Sequence, residues 1–122
     1  MIVHLTDAGT WARAQAAGEL RSASLTTEGF AHCSTIAQII EVGNRFYRGA
    51  SDLVLLAIDE SSLTVPLRWE APAHPDGSPA QPDEPLFPHV YGAIALGAII
   101  DVAPFLPGPD GAFDHGSVPA SW

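Results

Sequence analysis

The sequence contains no lysine, and this absence dominates its charge. All five basic residues are arginines, and they stand against 14 acidic residues, for a formal net charge of −9. Because proteins bind nucleic-acid backbones largely through Lys and Arg, we expect no binding to bulk nucleic acid. One or two arginines still suffice for a small anionic ligand. The acidic bias equally fits a habit of the host proteome that carries no functional information.

The sequence also has a single cysteine and no long apolar run. Cys33 alone excludes an intrachain disulfide and fits a reducing compartment. No apolar stretch approaches the roughly 20 residues that a membrane helix needs. The opening residues, Met1 to His4, include no basic segment followed by an apolar one. We therefore expect no signal peptide, no membrane partner and a cytoplasmic location.

Several ligand-binding signatures are missing. Neither G-x-G-x-x-G nor G-x-x-x-x-G-K-[ST] occurs at a strand–helix turn, which argues against a Rossmann dinucleotide site and a P-loop. The local metal-ligand pairs HxH, HExxH and CxxC are absent as well. A zinc centre built from His4, His32 and His89 has little support without such a pair, and the sequence predicts no metal.

Apolar periodicity predicts two strand–helix units and a central strand. We expect a strand over residues 2–6 and a helix over about 7–17, with Thr6 as its N-cap. A second strand over 30–34 leads to a helix over about 36–48, capped by Ser34 or Thr35. The continuous apolar run 53–58 is short and bounded by aspartates, which indicates a buried central strand.

The second half reads as strands and loops. Strands are predicted over 65–70, 88–91 and 98–102, separated by a long loop at 71–85 that contains five prolines. The sequence therefore predicts an α+β fold with a small mixed or antiparallel split sheet and two main helices. Residues 1–105 form one domain in this interpretation, and 106–122 form a Pro/Gly-rich tail that either wraps the surface or is disordered.

Three histidines lie on predicted strands, which hold side chains rigidly. We expect His4, His32 and His89 to line one pocket, with His32 as the leading candidate. Ser34 shares a strand face with His32 at a helix start, where free backbone N–H groups favour an anion. Cys33 alternates to the opposite face and reads as a core residue. Each histidine taken singly also fits a structural role, hydrogen-bonded in a half-buried position.

Two other clusters carry charge. Arg21, with Ser22 and Ser24, offers a phosphate-binding edge, although a solvated turn explains the same residues. Arg68 and Glu70 alternate to one face of a strand and form either a surface charge pair or the wall of a cleft. The surface interpretation is favoured by the sequence alone.

The chain resembles a family of small bacterial proteins, the domain-of-unknown-function 952 (DUF952) family. The resemblance runs from residue 3 to about 105, nearly the whole chain apart from the tail. The matching segments are 3–6 (VHLT), 29–35 (GFAHCST), 52–56 (DLVLL), 68–70 (RWE) and 87–92 (FPHVYG).

This family looks related in fold to the ADP-ribosyltransferases, which bind NAD between two small sheets. The resemblance implies NAD or an ADP-ribose-bearing or phosphate-bearing substrate. His4 and Thr6 match the first-strand motif that contacts a ribose, His32 and Ser34 would contact ribose or phosphate, and Tyr91 would stack on a flat ring beside His89. The glutamate usual in the third motif is missing from 88–92, so Glu70 is the remaining candidate for the catalytic carboxylate.

Two functions stay open at this point. One is an enzyme with catalytic residues His4, His32 and Glu70, either an NAD-dependent transferase or a related enzyme that removes a 2′-phosphate. The other is a protein that binds a nucleotide or another small ligand without turnover. An interaction module with purely structural histidines is a third interpretation, and the oligomeric state is left open.

Overall fold

A central antiparallel sheet is built around the apolar run that the sequence singles out. The computed structural model describes residues 1–72, 77–79 and 81–122. Strand β4 (Leu53–Ile58) lies between β1 (Ile2–Asp7) and β8 (Ile99–Pro104). Five of the six β4 residues are buried, because both faces of this strand are covered. The prediction of a buried central strand is confirmed.

Two smaller sheets complete the fold. Strand β6 (Phe87–Val90) lies between β3 (Ala31–His32) and β5 (Leu67–Glu70), and β2 (Glu19–Leu20) pairs with β7 (Ile94–Ala95). All of these pairs are antiparallel. The α+β class is confirmed, and the described strands form antiparallel rather than mixed sheets.

The first helix begins one residue later than predicted. Helix α1 spans Ala8–Ala17, and its N-cap is Asp7, whose carboxylate accepts a hydrogen bond from the backbone N–H of Thr10 at 2.8 Å. Thr6 is not the cap, because β1 stays paired with β4 as far as Asp7 opposite Leu53. That pairing holds Thr6 inside the sheet. Gly18 ends the helix in the left-handed conformation, which favours glycine.

A short helix and a long helix flank β3. Helix α2 (Ala23–Thr27) lies in a stretch for which the sequence predicts no helix. Helix α3 (Ile36–Phe46) follows β3 and ends two residues before the predicted limit. Its N-cap is Thr35 and not Ser34, and Thr35 and Gln38 satisfy each other's backbone N–H groups in a capping box.

Two apolar clusters pack on opposite faces of the central sheet. One contains residues of α1, β3, β6 and β7, and it joins the small sheets to the Ile2 and Leu56 face of the central sheet. The other packs α3 against Val3, Leu55 and the C-terminal segment. Glycine 43 is needed here, because a Cβ at this position would lie 2.8 Å from the ring of Phe105.

The segment after Phe105, predicted as a tail, contributes to this second cluster. Phe113 is buried and stacks on Phe105 with 4.4 Å between ring centroids. The amide of Asn44 on α3 bonds both backbone groups of Phe113. Part of the predicted 71–85 loop, including His74, lies outside the described residues. None of the helices in the described segments has the length and hydropathy to cross a membrane.

Candidate functional site

Antiparallel register gathers the candidate residues on one face of the β3-β6-β5 sheet. His32 lies directly opposite His89, and His89 lies directly opposite Arg68. Because opposed residues in an antiparallel pair point to the same side, these three side chains form a row across the sheet. We call this surface the histidine face and define it by Phe30, His32, Arg68, Glu70, His89 and Tyr91.

Glu70 accepts hydrogen bonds from two other residues of the histidine face. Its Oε1 accepts a hydrogen bond of 2.9 Å from Nδ1 of His89 and one of 2.5 Å from the hydroxyl of Tyr91. These bonds, that of Tyr91 first, hold the pKa of Glu70 below its usual value, because both stabilise the carboxylate. The same bond raises the pKa of Tyr91. Glu70 is therefore an anion near neutral pH, and its side chain is 37% exposed.

Aromatic rings pack around His89. The ring of Phe30 stacks on His89 with centroids 4.1 Å apart and contacts the edge of His32 at 4.8 Å. His32 and His89 meet edge to face at 5.4 Å. Tyr91 lies beside Phe30 at 5.3 Å, and the guanidinium of Arg68 lies 4.9 Å above the Tyr91 ring. The face thus combines flat apolar rings with one cation and one carboxylate.

His32 is the exposed histidine of the row. Its Nε2 lies 2.7 Å from the carboxylate of Glu28, and its side chain is 52% exposed. Since a carboxylate only accepts hydrogen bonds, Nε2 carries the proton of that bond. Nδ1 is the ring nitrogen that this bond does not use. His89, by contrast, is 5% exposed beneath Phe30. The two histidines are each oriented by a carboxylate, but only His32 offers much of its ring to solvent.

His4 lies behind the face. Its side chain is buried, and its Nδ1 donates a 2.6 Å hydrogen bond to the backbone carbonyl of His32. This bond assigns the ring proton to Nδ1 and leaves the lone pair on Nε2. Burial lowers the pKa of His4, so its ring stays neutral. Cys33 lies 3.9 Å from His4, and burial raises the pKa of its thiol to about 12, which makes it an unreactive core residue, as predicted.

The sequence predicts a single pocket lined by three histidines. The structure instead has an open face with His4 buried beneath it. Two grooves in the described part of the chain lie elsewhere. One, of about 430 Å³, is bordered by Arg13, Glu19 and Arg21; the other, of about 300 Å³, lies between α3 and the C-terminal residues.

Three predicted site residues are not brought to this face. Thr6 and Ser34 are buried, and Ser34 exchanges both backbone hydrogen bonds with Val3, which links β3 to the central sheet. The α3 capping box uses two of the N–H groups that the sequence offered to an anion. Arg21 lies at the 430 Å³ groove, where its Nε pairs with Glu19 at 2.6 Å.

Three members of the site were missed or undervalued by sequence reasoning. Glu28 is placed by α2, which the sequence did not predict, although its spacing of four residues from His32 was visible. Phe30 shares the alternation of His32, which was a usable signal. The sequence leaves Arg68 open between a surface charge pair and a cleft wall and favours the surface pair, whereas its register with His89 places it at the site. Among residues that the structure describes, no cluster of three or more His, Cys, Asp or Glu side chains forms a metal site.

The family model described as protein of unknown function (DUF952) matches residues 5–102. The chain belongs to the DUF952 family. The match spans every residue of the histidine face, so this face lies within the family's shared domain. No curated protein matches the chain at a significant level.

Solved structures support the fold. The crystal structure of protein CC0527 from Caulobacter crescentus is similar to this DUF952 protein, with 28% sequence identity, 94% coverage of each chain and a TM-score of 0.78. The solution NMR structure of CC0527 is similar at 28% identity, with 99% of this chain and 97% of that chain covered and a TM-score of 0.76. The fold of nearly the whole chain, including the C-terminal segment, is thus shared with a solved protein.

Proposed function

We propose that this DUF952 protein is an enzyme of the ADP-ribosyltransferase type, acting on NAD or an ADP-ribose-bearing substrate at the histidine face. The observation that carries the proposal is the shared contact of Glu70 with His89 and Tyr91. The sequence left open whether Glu70 reaches the motif that lacks its own glutamate. This contact supplies the carboxylate that the chemistry requires.

The proposed reaction begins at the bond between the ribose and nicotinamide. As this C–N bond breaks, nicotinamide leaves with the electron pair and positive charge develops on the ribose. An ionised carboxylate close to that charge lowers the barrier. Water or another nucleophile then bonds to the same ribose carbon and releases a proton. Glu70 suits the electrostatic role because the bonds from Tyr91 and His89 lower its pKa and keep it ionised.

The other residues receive roles that match their exposure. His32, which is exposed and oriented by Glu28, contacts the ribose or phosphate of the substrate. Phe30 and Tyr91 offer rings on which a flat base can stack. His4 is buried and bonded to the His32 carbonyl, so we assign it a positioning role. Thr6 and Ser34 are buried, and the proposal gives them no direct contact with substrate.

The experiment is an assay for nicotinamide release from NAD, followed by NMR, with the variant Glu70→Gln. The matched control is Glu41→Gln, which alters an exposed glutamate of α3. We expect release by the wild type and the control, and loss of about two orders of magnitude in Glu70→Gln, the size typical of removing one electrostatic group. Equal rates in Glu70→Gln and wild type would refute the catalytic assignment.

A second candidate is binding without turnover. It is favoured by one observation: Oε1 of Glu70 already accepts two hydrogen bonds, which anchor the carboxylate in the protein. In this case ADP-ribose or NAD binds the histidine face and no nicotinamide is released. Calorimetric titration of the wild type with ADP-ribose, run beside the release assay, separates the two functions. Binding with no release in any variant favours the second.

A further inference from the structure

The five arginines of this lysine-free chain are distributed unevenly around the candidate site. Arg13 and Arg21 border the 430 Å³ groove, and Arg45 and Arg48 lie at the end of α3. Arg68 is the arginine that the described contacts place on the histidine face. With a net charge of −9, an anionic ligand needs a local cation to approach this face.

The guanidinium of Arg68 is held in place by a ring. Its Cζ lies 4.9 Å from the centroid of Tyr91, and its position on β5 is opposite His89 on β6. An arginine stacked on an aromatic ring keeps its in-plane N–H groups directed outward. Stacking therefore reduces the conformational entropy that the side chain loses when it binds a ligand, since one orientation is already favoured.

Arg68 is not the main interaction partner of Glu70. The charge of Arg68 lowers the pKa of Glu70 least among the causes, and the main effects are the hydrogen bonds from Tyr91 and His89. The hydrogen-bond donors to Glu70 are thus Tyr91 and His89, while Arg68 lies beside them as an exposed cation. Two groups of opposite charge, carboxylate and guanidinium, flank the same tyrosine ring.

We infer that Arg68 binds a phosphate group of the substrate and so favours a nucleotide over the corresponding nucleoside. This inference rests on the proposed function. A planar guanidinium bonds phosphate through two parallel N–H groups, whereas a lysine makes a point contact. The ring of Tyr91 fixes the guanidinium next to the surface on which a base stacks. The ligand's phosphate and its base are then recognised by adjacent residues.

The test compares ligands that differ in charge. Adenosine, AMP and inorganic pyrophosphate are titrated by calorimetry into wild type, Arg68→Ala and Arg68→Lys. The matched control is Arg45→Ala, because Arg45 also lies over an exposed ring, that of Phe46, at 5.7 Å. Thermal unfolding of each variant by circular dichroism confirms that it is folded.

We expect the wild type and Arg45→Ala to bind AMP more tightly than adenosine. Arg68→Ala should weaken AMP by roughly 10- to 100-fold, in line with the loss of a charge-assisted pair, and leave adenosine unchanged. Arg68→Lys should recover part of the loss. Equal affinity of the wild type for AMP and adenosine, or an unchanged AMP affinity in Arg68→Ala, would overturn the assignment.

The pyrophosphate titration separates this inference from the proposed function. If pyrophosphate and AMP bind the wild type more tightly than Arg68→Ala, while NAD releases no nicotinamide, the Arg68 assignment stands and the enzymatic function fails. If NAD binds and releases nicotinamide equally in wild type and Arg68→Ala, the function stands and the Arg68 assignment fails. Absence of binding by all of these ligands contradicts both.

Discussion

Tyr91 donates a hydrogen bond of 2.5 Å to Glu70, a residue that lies 21 positions earlier in the chain. Strands β5 and β6 pair antiparallel with Glu70 opposite Phe87 and Leu67 opposite Val90, so Glu70 and Tyr91 lie toward opposite ends of the pairing. Their side chains meet along the face that also carries His89, which bonds the same Oε1 of Glu70. The bond joins the acid of one segment to the His-Val-Tyr motif of another. It makes a single site from residues that lie far apart in the sequence.

Replacing Tyr91 with Phe should raise the pKa of Glu70 toward its usual value. The hydroxyl of Tyr91 is the largest cause of the lowered pKa of Glu70, because it stabilises the charged carboxylate. A carbon-detected NMR titration of the Glu70 carboxyl group measures the change. Tyr47→Phe serves as the control, since Tyr47 is the C-cap of α3 and does not belong to the histidine face. An unchanged Glu70 pKa in Tyr91→Phe would show that the bond is not formed in solution.

His4 should make the fold less stable as the pH falls. Burial lowers the pKa of His4 in the folded protein, whereas the His4 ring in the unfolded chain titrates at about 6.5. Below that pH the unfolded chain binds more protons than the folded one, so the free energy of unfolding decreases. Cys33, its close neighbour, has a pKa of about 12 and does not titrate in this range.

Urea unfolding at about pH 8 and about pH 5 measures this effect, with His4→Asn as the comparison. The asparagine amide retains an N–H for the His32 carbonyl and has no titrating ring. We expect the loss of stability between the two pH values to be smaller in His4→Asn than in the wild type. Identical losses would mean that His4 takes up its proton as readily in the folded protein as in the unfolded chain.

Gly92 should be intolerant of a side chain. A Cβ at this position would lie 2.6 Å from Cγ1 of Val65, closer than any real contact. Gly92→Ala should therefore destabilise the protein by about 1–3 kcal/mol, the usual range for overpacking, and displace the adjacent Tyr91. Gly97→Ala is the matched control, because a Cβ there meets nothing within 4 Å. Equal urea midpoints for the two variants would contradict the packing described.

The sequence predicts individual helices and strands better than it predicts which of them lie side by side. The run 53–58 and the helix after Thr35 were recognisable because burial and helical spacing leave strong local patterns. The cap of α1 was misplaced by one residue, since Thr6 and Asp7 are both good caps and only the pairing of Asp7 with Leu53 decides between them. Helix α2 has no buried residue, so it leaves no apolar pattern to detect.

The candidate site shows the same limit. Alternation along one strand correctly placed His32 opposite to Cys33, and Arg68 with Glu70. Which strand lies beside which is a long-range property, and the register of His89 between His32 and Arg68 could not be read from spacing. For that reason the sequence favoured a surface charge pair where the structure has a shared hydrogen-bonded site.

An amide NMR titration of the wild-type protein with ADP-ribose tests directly whether the histidine face is the ligand site. The largest shift changes should fall in three segments, 28–32, 67–70 and 87–91, which contain the histidine face and its immediate support. The Glu70→Gln variant should retain the pattern if the fold is intact. Shift changes centred on the groove of Arg13 and Arg21, or no changes at saturating ADP-ribose, would show that the histidine face is not the ligand site.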